Sequence, residues 1–109
     1  MPYDEALANR VRIILPKKLK ITEKKMFGGL CFLLNVKMCC GIEKSNLVVR
    51  VGPQKYEAAL KSKKVRPMDF TGKPLKGFVY IDPKELRRKD QLRKWVHLGV
   101  TFARSLSDN

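Results

Sequence analysis

Three short apolar runs, Leu30 to Leu34, Met38 to Ile42 and Leu47 to Val51, constrain this chain more than any other feature. Each is rich in β-branched, aromatic or leucine side chains, too short for an ordinary helix, and separated from the next by a turn-length gap. They predict three antiparallel strands in a meander. In the third, Leu47, Val49 and Val51 alternate with Val48 and Arg50, so one face is apolar throughout. The first connection, Asn35-Val36-Lys37, lacks glycine. A type I′ hairpin needs φ > 0 at both central residues, which strongly disfavours valine, so a longer open loop is expected here.

Helical patterns flank these runs. Leu7, Val11, Ile14 and Leu15 recur at helical spacing and predict an amphipathic helix over residues 3–15, stopped by Pro16. Asp4 and Glu5 suit its positive N-terminal end. Residues 17–25 read as a cationic connection. Gly52-Pro53 ends the third strand and opens a second helix, with Tyr56, Ala59 and Leu60 on its buried side. Residues 66–70 read as extended, 70–74 as a turn, and 76–82 as a strand with Phe78 and Tyr80 on one face and Val79 and Ile81 on the other. Asp82-Pro83 opens a short helical turn over 84–88. The last helix, 90–106, carries a continuous stripe of Leu92, Trp95, Val96, Gly99, Phe102, Ala103 and Leu106. Gly99 weakens that helix by about 1 kcal/mol relative to alanine, which predicts that another element packs closely against it. The order α-βββ-α-ββ-α implies an α+β fold: a two-layer sandwich, mainly antiparallel, with helices packed on one face of the sheet. At 109 residues the chain is expected to form one domain over 1–109 that needs no disulfide or metal to hold it together.

The charge is less ordinary. Twenty-four Lys and Arg face ten Asp and Glu, a formal +14. A surplus of this size attracts phosphate polymers or anionic surfaces. Its bland counterpart is a solvated surface, or a proteome biased toward basic residues. The cations fall into three groups. Lys17, Lys18, Lys20, Lys24 and Lys25 form the first, Lys61, Lys63, Lys64 and Arg66 the second, and Arg87, Arg88, Lys89, Arg93 and Lys94 the third. The first and third, Lys89 aside, are the candidate nucleic-acid contacts. No helix-turn-helix, RNP aromatic or zinc-finger pattern accompanies them, so binding is expected to be salt-sensitive and weakly sequence-specific.

The chemistry-bearing residues do not assemble a catalytic motif. His97 falls on the polar side of the last helix with Arg93, Thr101 and Arg104, and no carboxylate nearby would orient it as a base. Ser45, Ser62, Ser105 and Ser107 stand outside any nucleophile-elbow pattern. Gly28-Gly29 follows its lysines and precedes a strand, the reverse of a phosphate-binding loop, and reads as a bend or bulge. Three cysteines and one histidine cannot complete a structural zinc set. If the first turn centres near residues 35–36, Cys31 and Cys40 face each other across the hairpin, within disulfide reach. Buried free thiols are the simpler reading. Arg50, set in an otherwise apolar strand, must meet solvent or a partner: an anion, or a carboxylate such as Asp69 or Asp82. Arg66 and Asp69 are the other candidate ligand contacts, and the two could also pair with each other. No metal or cofactor is expected. No run is long enough to span a membrane, the first ten residues hold no apolar signal core, and the odd cysteine count fits a reducing cytoplasm.

Three segments carry a family resemblance: Lys24-Lys25-Met26-Phe27-Gly28-Gly29, Val49-Arg50-Val51-Gly52-Pro53, and Arg66 through Gly77. Together they resemble the N-terminal domain of the TfoX (Sxy) family of bacterial competence regulators, from about Tyr3 to Leu106. The resemblance implies the same α+β layout, a single-domain member, and an association with transcription control. It implies a non-enzymatic regulatory module acting through a protein partner, aided by its basic surface. An alternative is an adaptor for a protein or a small anion that never touches nucleic acid, with Arg50 and the 70–76 turn lining its site; an exposed apolar patch on the uncovered sheet face would favour it. A small enzyme would require a converged carboxylate–His or Cys–His pair. Monomer and homodimer both remain open.

Overall fold

A computed structural model describes residues 3–26, 28–69, 72 and 74–107. The expected α+β sandwich is present. Helix α1 (Glu5–Ile14) is followed by strands β1 (Ile21–Met26), β2 (Gly29–Leu34), β3 (Lys37–Glu43) and β4 (Asn46–Arg50). Helix α2 (Pro53–Leu60), strands β5 (Val65–Pro67) and β6 (Phe78–Ile81), a 3-10 turn (Pro83–Leu86) and helix α3 (Lys89–Ser107) complete it. All strand pairs are antiparallel, in the order β1-β2-β3-β4-β6-β5.

Local chemistry accounts for the element ends. Asp4 caps α1 by accepting from the Leu7 amide at 3.1 Å, and Asp82 caps the 3-10 turn by accepting from the Lys84 amide at 2.9 Å. Proline opens both α2 and the 3-10 turn. Alternation then sorts the sheet. Leu30, Phe32, Leu34, Cys40, Ile42, Leu47, Val49, Val79 and Ile81 point into one large core shared with the stripes of all three helices. Fully burying an aliphatic or aromatic side chain contributes about 1.5–3 kcal/mol, so this single cluster dominates the stability. The other sheet face carries a smaller cluster of Val48, Met68 and Tyr80, with Met38 and Phe78 packed against it.

Three expectations need correction. The lysine-rich connection contains an edge strand, β1, whose side chains are exposed or half-buried. It forms through backbone pairing with β2 from Ile21–Leu34 to Met26–Gly29, which owes nothing to an apolar pattern. Second, Leu34 pairs with Lys37, so the first turn has only two central residues, and both have positive φ: 51° at Asn35 and 62° at Val36. The pairing on either side imposes the hairpin, and the valine bears the strain while 89% exposed. Third, Cys31 and Cys40 are not opposed. A bulge between Phe32 and Leu33 shifts the register so that Cys31 pairs with Gly41 and Cys40 with Phe32. The two thiols therefore leave the sheet on opposite faces, and all three cysteines are free and buried.

Candidate nucleic-acid interface

The sheet order decides which cationic groups can act together. Lys17, Lys18 and Lys20 lie on the connection from α1 into β1, and Lys24 and Lys25 on β1 itself, at one edge of the sheet. Lys61, Lys63, Lys64 and Arg66 lie on the α2–β5 connection and on β5, at the other edge. Five interstrand spacings separate β1 from β5, roughly 24 Å. These two groups do not form one patch.

The first and third groups share one half of the molecule. Arg87, Arg88, Arg93 and Lys94 belong to the 3-10 turn's end and the first two turns of α3. Helix α1 packs against α3 and is tied to both neighbours by arginines. Arg10 Nη2 donates to the Leu86 carbonyl at 2.7 Å, beside the third group. Arg12 forks onto Glu23 of β1, donating at 2.7 and 2.8 Å, beside the first group. That bidentate bond holds the Glu23 carboxyl below its ordinary range. Lys24 pairs with Cys31 and projects from the sheet face away from the helices. The other four lysines and the cations of the third group lie on either side of a single helix, whose diameter is about 10 Å.

All nine of these cations are exposed. Among the described residues, Arg88 is the one of the nine in an ion pair, with Asp90 at 3.0 Å. Both members of that pair are solvated, and such pairs contribute little, so Arg88 can exchange Asp90 for a phosphate at small cost. Lys94 Nζ lies 5.4 Å from the centre of the buried Trp95 ring, which orients its stem along α3. The surface offers charge and flexible donors, and no exposed aromatic platform among the described residues: Trp95 and Phe32 are buried.

The candidate ligand residues are apart from this surface. Arg50 lies between two rings, its guanidinium carbon 5.2 Å from the Phe78 centroid and 5.3 Å from that of Phe102. Sequence reading passed over both partners, because Phe102 reads as part of the core stripe and its contact with Arg50 spans fifty-two positions. Next to Phe102, at the start of α2, Gly52, Lys55, Leu98 and Thr101 help line an open cavity of about 470 Å³. Arg66 stacks on Tyr80 at 5.3 Å, and no ion pair joins it to Asp69 among the described residues. Asp82 caps the 3-10 turn and is not Arg50's partner. Phe70, Thr71 and Lys73 of the turn assigned to the adaptor site lie outside the described residues.

Other chemistry is sparse. His97 is exposed on α3. No group of three or more His, Cys, Asp or Glu side chains placed to hold a metal ion occurs among the described residues. Cys39 Sγ lies 3.3 Å from the Phe32 carbonyl, and burial pushes the Cys31 thiol up. No described helix is long and apolar enough to cross a membrane.

The sequence profile of the TfoX N-terminal domain matches residues 15–103. That span covers most of the chain, and the chain belongs to this family. No curated protein matches it, and no solved structure does.

Proposed function

We propose that this TfoX N-terminal domain is a non-enzymatic regulatory module that acts through a protein partner and touches nucleic acid by its basic half, with weak sequence preference. The observation that carries the reading is the pairing of two cation groups across α1, where, with Lys24 on the far face of the sheet, seven of the eight remaining members have no ion-pair partner among the described residues. Cations left unpaired on one side of a fold release counterions when they meet a phosphate backbone. The absence of exposed aromatics among the described residues, and of any groove-reading helix pattern, limits what such a surface can read. Transcription control in the sense of competence follows from the family alone.

Fluorescence anisotropy with random duplex DNA and with single-stranded RNA across a salt series tests it. Engagement of about four phosphates gives a slope of log K against log salt near −3.6 on duplex DNA. Charge reversal at Arg87, Arg93 and Lys94 should flatten that slope by about two or three contacts, and reversal at Lys61, Lys63 and Lys64 should not. Absence of binding at low salt, or equal sensitivity to both reversals, overturns the reading.

One observation favours a second reading, a small-anion adaptor. The Arg50 guanidinium lies over two rings with no carboxylate partner among the described residues. No apolar patch that would favour a protein adaptor is seen among the described residues, where the exposed large hydrophobic residues are Ile13 of α1, Val36 of the β2–β3 turn and Leu75 of the loop before β6. Loss of acetate or phosphate binding on Arg50→Met, measured by calorimetry, would support the anion role.

A further inference from the structure

Three of the chain's four methionines meet at one place. Met26 of β1, Met38 of β3 and Met68, just past β5, line a single small cavity on the sheet face away from the helices. No sequence periodicity brings them there. Cys31 of β2 lines the same cavity. The register explains the convergence, since Cys31 stands between Lys24 and Gly41 and Met38 pairs with Leu33, all on one face. Gly41 makes the room: a Cβ there would lie 3.2 Å from Met38 Cε and 3.4 Å from Cys31 Cα.

The size and lining of the space restrict its occupant. It holds about 10 Å³, close to one water-sized sphere, so no organic molecule fits. A buried water needs two to four polar partners. The one charged or hydroxyl-bearing side chain in the lining is Glu43, whose Oε2 already accepts from Tyr80 Oη at 2.8 Å. What remains is a set of four sulfur donors. Thioethers and thiolates are soft ligands that select soft ions such as copper(I) over magnesium, calcium or manganese.

We propose that Met26, Cys31, Met38 and Met68 form a binding site for one monovalent soft metal ion, copper(I), with silver(I) as its non-redox analogue. On binding, the Cys31 S–H bond breaks and its proton passes to solvent. The freed sulfur lone pair forms the metal–sulfur bond, the methionine sulfurs donate lone pairs, and no atom changes oxidation state. The thiolate neutralises the monovalent cation, and the Glu43 carboxylate at the rim of the same space is already held by the Tyr80 hydroxyl. The selection rests on softness: zinc favours a tetrahedral set of Cys, His and carboxylate ligands, whereas three of the four sulfurs here are thioethers. Met26 and Met38 are half-buried, which gives the ion a way in. Cys39 and Cys40 form an internal control. Cys40 points into the helix-side core and Cys39 sits in the bulge, so neither belongs to the site.

The test is an anaerobic titration of the metal-free chain into the coloured copper(I)–bicinchoninate complex. The chain should withdraw one equivalent. Losing an outer partner already weakens metal sites by 10–100-fold, so Met38→Leu and Met68→Leu should each weaken transfer by at least about tenfold, and Cys31→Ser by more. The leucine variants conserve volume and keep the fold. A Cys39→Ala/Cys40→Ala chain should retain the affinity. Independently of any variant, silver(I) should shift the methyl resonances of Met26, Met38 and Met68 in methionine-labelled wild-type protein and leave that of Met1 in place. Failure to withdraw copper, transfer that follows Cys39 and Cys40, or uptake without those methyl shifts overturns the proposal.

Discussion

Replacing Gly99 by alanine sets two well-characterised effects against each other. Intrinsic propensity favours the change: in the middle of a helix, alanine is about 1 kcal/mol better than glycine. Packing opposes it. Gly99 lies where α3 crosses β3, and a Cβ built there would run into the Cys39 carbonyl oxygen, lie 2.9 Å from its carbon and reach 3.4 Å from Val49 Cγ1. The oxygen and carbon are backbone atoms, so no rotamer change relieves the overlap. Either α3 lifts from the sheet or β3 bends at its bulge. Overpacking a well-filled core typically costs 1–3 kcal/mol, and a backbone obstacle puts this site at the upper end, about 3. Subtracting the propensity gain leaves a net loss of about 2 kcal/mol. At about 4–8 °C per kcal/mol for a chain of this size, the melting temperature falls by roughly 8–16 °C. Urea denaturation should show a lower midpoint with an unchanged slope, since the surface exposed on unfolding is the same. A Gly99→Ala chain as stable as wild type, or more so, would show that propensity wins and that α3 does not approach β3 this closely.

Three further outcomes are expected. Val36→Gly relieves a β-branched residue at a φ of 62°, where a left-handed conformation costs about 1–2 kcal/mol, and should raise the unfolding free energy measured by urea titration by about 1 kcal/mol or more. Burial and its bond to Glu43 push Tyr80 up to about 12, so the folded state favours the neutral phenol; stability is complete below pH 10 and falls by about 2–3 kcal/mol as pH rises through 12. Tyr80→Phe should remove that alkaline decline in pH-dependent urea titrations. Arg50→Lys keeps the charge but replaces the guanidinium set over Phe78 and Phe102 with a compact, more strongly hydrated ammonium, and should cost about 1 kcal/mol in the same assay.

Legibility followed the strength of the local signal. The stripe of α3 was readable because burial repeats at helical spacing, and Gly99 marked a close approach because nothing in the helix itself favours glycine there. The strands β2, β3 and β4 were readable from alternation and length. β1 was not, because an edge strand with solvent on most sides needs no apolar pattern, and Ile21-Thr22-Glu23-Lys24-Lys25 presents none. The two-residue turn was missed for a related reason: pairing across five β2–β3 positions outweighs one strained valine. The same bulge that displaced Cys40 from Cys31 could not be seen, because register within a hairpin depends on geometry that a run of apolar residues does not record. Of the candidate interface, the residues were legible and their grouping was not. Only the strand order shows that the Lys61–Arg66 group is a sheet's width away from the lysines of β1.

That order also bears on why the cations stand where they do. An edge strand with unpaired N–H and C=O groups invites pairing with another chain, and charged side chains are a common defence. β1 carries Glu23, Lys24 and Lys25 at one edge, and β5 at the other is only three residues long, ends in proline and carries Arg66. Part of the positive surplus therefore has a structural use that requires charge of either sign. A carboxylate serves that defence as well as an ammonium does, and Glu23 is one that does so in this chain. The third group is different. Arg87, Arg88, Arg93 and Lys94 protect no sheet edge, belong to no core and, Arg88 apart, pair with no carboxylate among the described residues. Edge protection does not account for their sign, and like charges within two turns of a helix repel at some cost to stability. A polyanion on that face would offset this repulsion, which makes the α3 group the more discriminating place to look for one.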